Sequence, residues 1–475
     1  MTTVQNIAKN SLFLLAGQVT GIVFGFFYFV SMARYLGAED LGILSFALSL
    51  TIIIGLLGDI GFSSLMIREL SRNQSLAPKY TGNIFLMKLL LAIITFGAIA
   101  IIMNFLDYSE NAIEVVYIIT ISNIFTNFTN IFYSVFQAFE RFEYLSIGMI
   151  LNSVLMLIGI FFAIGQNFGL IYFAFIYLIV NAIVLAYSFF FCLRKFIVPV
   201  FEIDWIFWKK TISESLPFWL NAVFVTIYFR IDMVMLSAIT GDSAVGWYAA
   251  SYRLIDALGF IPAVLMGIMY PVFSKFHINS KDNLEFAFKK SFKILTIIAI
   301  PIGIGTTILA ERIIILIYGV QYSPSVDALR ILIWASVLSF FNYTPATYLT
   351  STNRQRTLMI FTFIGAILNL VLNFILIPRF SYNGAAVATV FTEFVVGMLM
   401  VFNIHKSENL LSSLMNITFK SLIAGVIMAA FLLVFHDYIL ILLILFAAIV
   451  YFIALYIVNG FEEEDISLFK QILER

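Results

Sequence analysis

A single cysteine, Cys192, stands in 475 residues, so the chain can close no internal disulfide and build no thiolate metal cluster. Histidine is almost as scarce. His277, His405 and His436 lie far apart, and none has a ligand partner four residues on, so each reads as a solvated residue near a helix end and no metal is expected. No GxxxxGK occurs, which excludes a P-loop and ATP hydrolysis of that kind. Charged residues are only 11% of the chain and sum to a net of zero, which gives no argument for a nucleic-acid partner. No A-x-A site follows the first apolar stretch, which is also too long for a cleavable signal peptide. No cofactor is expected.

What the chain has instead is apolar surface. Hydrophobic residues make up 62%, with 52 Phe and 22 Tyr, and the mean hydropathy is +1.02. A soluble protein of this length needs far more polar surface. The composition predicts an all-α integral membrane protein. Windows of about 20 apolar residues, each long enough to cross ~30 Å of hydrocarbon, mark fourteen spans. They fall at roughly 11–33, 41–66, 83–106, 112–137, 144–165, 168–192, 215–239, 246–273, 292–318, 327–350, 357–377, 383–404, 417–435 and 438–458.

Loop charges orient them. The N-terminus and the loops after even-numbered spans carry about seventeen basic residues, among them Arg68, Arg72, Lys79, Arg141, Lys209, Lys210, Lys289 and Lys290, against Arg34 and Arg379 on the other side. The first set faces the cytoplasm, as do both termini. The longest linker, 193–215, separates six spans (1–192) from the next six (216–405). Its Trp205, Trp208, Lys209 and Lys210 suit an amphipathic helix on the inner membrane surface, and a plain connector is the alternative. Spans 13 and 14 (406–460) form a C-terminal pair. In 461–475, Ile466, Phe469, Ile472 and Leu473 share one face of an expected cytoplasmic helix.

The halves echo each other. Gly37-Ala-Glu-Asp-Leu-Gly42 turns span 1 into span 2, and Gly241-Asp-Ser-Ala-Val-Gly246 turns span 7 into span 8. Gln166-Asn-Phe-Gly169 before span 6 corresponds to Ser381-Tyr-Asn-Gly384 before span 12, and Arg141 to Arg354. Offsets near 204–215 residues imply parallel repeats, hence two pseudo-symmetric six-helix lobes around a cavity. Proline is absent from the first six spans but occurs within spans 8 to 10 at Pro262, Pro271, Pro301 and Pro345. This assigns more bending to the second lobe, unless the kinks are passive.

The mid-span charges are the functional candidates. Arg230 and Asp232 precede the Gly241 turn; Arg253 and Asp256 follow it. At 1.5 Å per residue both pairs lie roughly 12–14 Å below one membrane face. Ionisable groups at that depth should face protein or a wet cavity. Each pair is either a structural neutralisation or a ligand site, and cross-helix pairing would suit the first. Lys88 either serves the inner side of the cavity or snorkels to the interface. Asp59 is a helix-end or gate contact or an ion-coupling group, and Glu393, without a basic neighbour in sequence, is the second ion-coupling candidate. Glu311, Arg312 and Arg330 are expected to pair at the outer ends of spans 9 and 10.

The segments IAKNSLFLLAG, ARYLGAEDLG, GDIGFSSLMIREL and FRIDMVML…GDSAVGWYAASYRL, in this order, resemble the polysaccharide-transporter branch of the multidrug/oligosaccharidyl-lipid/polysaccharide flippase superfamily. The resemblance runs through Phe402. It implies a Wzx-type flippase that moves isoprenoid-pyrophosphate-linked oligosaccharide from the inner to the outer leaflet, with no covalent chemistry. Its fold would be shared with multidrug antiporters and the lipid II flippase. The last two spans exceed the common twelve, as in some relatives. Such cargo needs cations for its pyrophosphate, and the planar fork of arginine suits phosphate. Arg230, Arg253, Arg34 and Lys88 are the candidates, with Asp232 and Asp256 beside them. Gln18, Asn127, Asn130, Tyr133, Gln137, Asn221, Tyr228, Asn342 and Tyr343 are candidates for the sugars. Membrane lipids surround the protein, H+ or Na+ is the candidate coupling ion, and other glycan-export proteins are candidate partners. An ion-coupled multidrug or organic-cation antiporter is the first rival. A polytopic glycosyltransferase or polymerase is remote, because the outer loops are too short to carry acid/base groups.

Overall fold

The computed structural model describes residues 3–105, 108–404 and 408–461, and all regular structure among them is helical. Helix is the form a lipid-embedded chain must take, since it satisfies every backbone N–H and C=O within one segment. In order come α1 (Thr3–Gly55), α2 (Phe62–Arg72), α3 (Ala77–Phe105), α4 (Glu110–Ala138), α5 (Phe142–Gly165), α6 (Leu170–Lys195) and α7 (Trp205–Thr240). Then follow α8 (Asp242–Leu258), α9 (Phe260–Asn279), α10 (Lys281–Tyr318), α11 (Ser325–Ser351), α12 (Gln355–Ile404), α13 (Glu408–Val434) and α14 (Leu440–Ile457). The expected cytoplasmic tail helix at 461–475 lies outside the described residues but for its first residue.

Among the described residues, twelve helical stretches are long and apolar enough to cross a membrane. The chain is a multi-pass membrane protein. Its outward apolar side chains, such as Phe105 at 84% exposure and Phe374 at 72%, have lipid as their natural neighbour. Two of the twelve stretches, Lys9–Gly58 and Gln355–Ile404, are 50 residues each. A straight helix of that length would run about 75 Å, more than twice the ~30 Å hydrocarbon core. Both are interrupted, by Gly37 and by Ser381, at the turns expected between spans 1 and 2 and between spans 11 and 12.

By packing, the chain falls into two compact units, Met1–Ala249 and Ala250–Arg475. In the first, α1 packs on α4, α5 and α7, and α2 lies against α4 and α7. Phe62, Met66, Ile84, Phe132, Val135 and Phe136 fill the space between α2, α3 and α4. In the second, α10 packs on α11 and α13, and α13 on α14; Leu295, Ile300, Val337, Met428, Leu432 and Tyr451 close that core.

The echoed turns share one backbone form. Gly37 has φ 80° and ψ −180°, and Gly241 has φ 92° and ψ 172°, a region open in practice only to glycine. The second turn is tighter than the sequence suggested, with helix resuming at Asp242 rather than beyond Gly246. Both turns belong to the first unit and press on each other. A Cβ on Gly42 would overlap the Asp242 carbonyl, and a Cβ on Gly246 would overlap that of Ala38.

The linker also differs from expectation. Residues 196–204 are non-helical, and Trp205, Trp208, Lys209 and Lys210 belong to the first turns of α7 itself. Asp204 caps that helix by accepting from the Phe207 N–H at 3.0 Å. The strap is pinned to the start of α3: the Val200 N–H donates to the Pro78 carbonyl at 3.0 Å, Lys79 to Asp204 at 2.7 Å, and the Trp208 indole to Asn83 at 2.8 Å. Proline follows the expected asymmetry. Pro217, Pro271, Pro301, Pro345 and Pro378 lie inside helices from α7 onward. Where α10 ends and α11 begins, the expected mutual pairing gives way to other contacts. Arg330 pairs with Asp327 at 3.1 Å, and Arg312 donates to the carbonyls of His436 and Tyr438.

Candidate functional site

The candidate residues fall into three groups. The first lies where α1 gives way to a single 3-10 turn, Leu56–Gly58, before α2. Asp59 in that break accepts from the N–H and the hydroxyl of Ser63 and so caps α2. It also meets Lys88, which reaches from α3 with Nζ 3.0 Å from the Asp59 carboxylate. Lys88 is 1% exposed and donates as well to the Asn127 carbonyl of α4 at 2.8 Å. Lys88 therefore does not snorkel to the interface. An ammonium so buried must be paired and hydrogen-bonded to remain charged, and three elements converge to do it. The sequence pointed to Lys88 and Asp59 for separate tasks; folding makes them one unit.

Beside the same break, the Trp219 indole of α7 donates to the Leu56 carbonyl at 2.9 Å. One turn further in, Arg68 of α2 pairs with Glu214 of α7 at 2.8 Å. The open carbonyl of a broken helix is a natural acceptor for an indole N–H. These contacts tie α7 to the break and to α2.

The second group is on α7. Asp232 is 2% exposed and accepts from the buried Tyr248 hydroxyl at 2.7 Å. Arg230, two residues earlier, is half-buried, and among the described residues no carboxylate lies within ion-pair distance of it. The i, i+2 spacing sends the two side chains to different faces of the helix. Arg34, three residues before the Gly37 turn, is exposed.

The third group is in the second unit. Arg253 is half-buried and Asp256 exposed on α8. Glu393 of α12 is 6% exposed and receives the Asn342 side-chain amide of α11 at 2.7 Å; the same amide also reaches the Glu393 backbone carbonyl at 3.0 Å. The sequence offered Asn342 as a sugar contact; in the fold it holds the one mid-span carboxylate of α12.

A polar cluster in the first unit escaped the sequence reading. Asn152 of α5 donates to Asn181 of α6 at 3.0 Å, and Asn181 to Ser122 of α4 at 2.7 Å. The available signal was two amides, Asn152 and Asn181, each the one amide of an otherwise apolar span, where an uncharged polar side chain demands a partner just as a charged one does.

Comparison with known proteins agrees with this architecture. Residues 7–277 match the family described as polysaccharide biosynthesis protein, and residues 217–375 match the MatE family. Among curated proteins, a probable low-salt glycan biosynthesis flippase, Agl15, of Haloferax volcanii is 24% identical over 163 residues, 34% of this chain and 34% of its own. An uncharacterized membrane protein of Methanocaldococcus jannaschii is 26% identical over 178 residues, 37% of this chain and 35% of its own. The chain thus spans about a third of the length of the curated relatives it matches. Among solved structures, the lipid II flippase MurJ in an inward closed conformation superposes with a TM-score of 0.74 at 17% identity, covering 98% of this chain and 100% of that one. An inward-facing MATE-family multidrug resistance transporter of the MOP superfamily superposes at 0.64 and 17% identity, covering 83% and 93%. At these identities the likeness is one of fold. The family match takes in more than half of the residues, including the broken second span, the Lys88–Asp59 pair and Arg230: the chain belongs to the polysaccharide biosynthesis protein family.

Proposed function

We propose that this protein is a flippase that carries an isoprenoid-(pyro)phosphate-linked oligosaccharide from the cytoplasmic to the outer leaflet of the cell membrane by alternating access. In this reading each 50-residue stretch is a hairpin of two crossings, giving fourteen in all. Both termini are cytoplasmic, and two six-helix lobes, 1–192 and 216–405, rock about the cargo while 406–460 forms an added helix pair. No covalent step is involved. The family match and the flippase relatives support the cargo class.

The observation that carries the reading is Arg230. A mid-span guanidinium is expensive to hold in a membrane unless something neutralises it, and its one neighbouring acid in sequence, Asp232, is engaged by Tyr248 instead. A phosphate is the anion its fork fits. Arg253 and Arg34 are assigned to the same cargo, with Asp256 as an acid that the cargo displaces. Lys88 and Asp59 already satisfy one another, so they act as a support of the second span and as a coupling site only if the pair opens. Glu393 is the remaining coupling candidate for H+ or Na+.

The MatE match favours one rival, an ion-coupled antiporter of organic cations. The arginines among the candidates oppose it, since a cationic cargo calls for carboxylates instead.

The test is charge reversal. Arg230→Glu and Arg253→Glu, reconstituted in proteoliposomes, should insert normally and lose at least about tenfold in flipping of a lipid-linked oligosaccharide, the loss of a charge-assisted contact worth roughly 1.5–3 kcal/mol. Wild-type rates in both variants would refute the assignment, and transport of organic cations with no flipping would install the rival.

A further inference from the structure

Within the first unit, α1, α4, α5 and α6 enclose a pocket of about 250 Å³ that none of the charged candidates lines. Its polar wall is made by Ser122, Asn123 and Thr126 of α4, Asn152 of α5, and Tyr177 and Asn181 of α6. No Asp, Glu, Lys, Arg or His is among the described residues around it. The amides are held in place by one another and by α4: Asn152 donates to Asn181, Asn181 to Ser122, and Asn127 to Asn123.

This network leaves hydrogen-bonding capacity unused. Among the described residues, Asn123 accepts a bond but its NH2 donates none, and Asn152 donates one but its side-chain oxygen accepts none. An amide can offer both donors and acceptors, and half-buried capacity of this kind on a pocket wall is open to water or a ligand. The pocket therefore presents a donor from one helix and an acceptor from another, with phenol rings of Tyr28 and Tyr177 on its wall.

We propose that this pocket is a saccharide subsite, which takes one uncharged pyranose ring of the glycan cargo. A hydroxyl is at once donor and acceptor and answers a wall of amides, whereas an ionised group would find no counter-charge there and would bear its full desolvation cost. The C–H face of a sugar ring is apolar and complements the electron-rich face of a tyrosine. Size agrees: at ~30 Å³ per water the space equals about eight waters, or one six-membered ring with its hydroxyls. It lies below the range of drug-sized sites. The identity of the cargo rests on the flippase reading above; the preference for a neutral polyol rests on the pocket alone.

The experiment uses the full chain in lipid nanodiscs and saturation-transfer NMR with free methyl glucoside and N-acetylglucosamine as probes, and glucuronate as the charged control. Transfer to the ring protons of the neutral sugars is expected at millimolar concentration, with at least fivefold less to glucuronate. Thr126→Trp, at an exposed position of the wall, should plug the pocket and remove at least four-fifths of the signal, and Asn181→Leu should do the same. If Asn181→Leu fails to fold, Thr126→Trp decides alone. No transfer to either neutral sugar, or an unchanged signal in Thr126→Trp, overturns the proposal and leaves a water-filled pocket only. Flipping by the same wild-type nanodisc protein, assayed after transfer to liposomes, separates the two readings. Flipping without sugar binding sinks the pocket and keeps the flippase, while sugar binding without flipping does the reverse.

Discussion

Lys88 reaches across from α3 to place its ammonium 3.0 Å from the carboxylate of Asp59, in the one stretch where the second span is not α-helical. The pair exists because each partner is expensive to bury alone. Replacing Lys88 with Met leaves a carboxylate with its hydroxyl and N–H donors but no counter-charge, and should destabilise the protein by about 3–5 kcal/mol. The double variant Lys88→Met/Asp59→Asn should regain much of that loss. Thermal unfolding in detergent, run as a double-mutant cycle, measures the difference; additive losses would mean the two groups act independently.

The contact between Gly42 and the Asp242 carbonyl leaves no room for a side chain. Gly42→Ala should force the two turns apart and lower the midpoint of thermal unfolding, and Gly246→Ala should do the same. Gly97 supplies the control, since a Cβ there meets nothing within 4 Å. Gly97→Ala, in the interior of α3, should be neutral or stabilising by about 0.4–1 kcal/mol. Equal effects at all three positions would show that helix propensity rather than contact controls the result.

Glu393 receives the Asn342 amide at 2.7 Å. Asn342→Leu should remove a hydrogen bond from a buried carboxylate and cost about 1–3 kcal/mol. Glu393→Gln keeps the shape and removes the charge; if this residue couples to H+ or Na+, gradient dependence in proteoliposomes should vanish while insertion is normal. Unchanged gradient dependence removes Glu393 from the coupling step.

Asp204 answers to pH. The hydrogen bond from the Lys79 ammonium, followed by the N–H of Phe207, holds its carboxyl below the usual carboxylate range. A group lowered on folding stabilises the fold above its unfolded value, near 3.9, and that stabilisation is lost as pH falls through the lower folded value. The strap at 196–204 should therefore become more open to protease only in acid, and Asp204→Asn should flatten the response in the window below about pH 5. Digestion mapped by mass spectrometry reads this out; a parent strap equally resistant across that window would show that the bond does not hold it.

Much of the architecture is legible in the chain. Apolar run length marks the spans, and the paired GxxxxG segments mark two turns that adopt the same left-handed glycine form. The site was harder to read, because what decides it is distance across helices. Nothing in sequence joins Lys88 to Asp59, 29 residues away, and nothing says that Asp232 turns to Tyr248 rather than to Arg230. Asn152 and Asn181 were overlooked for the same reason: each is the one amide of its own span, and only packing brings the two to a shared hydrogen bond. The linker misled in another way. Its tryptophans and lysines have the right chemistry for a surface helix, but capping by Asp204 starts a 36-residue helix there instead.

The mutual seating of the Gly37–Gly42 and Gly241–Gly246 turns also bears on how such a chain can evolve. Neither turn is at liberty to drift alone, since each is the mould for the other. A residue inserted into one would misalign a backbone-to-backbone fit that no side-chain rearrangement can rescue. Sequence change should accordingly be tolerated in the helices on either side sooner than in the two bends.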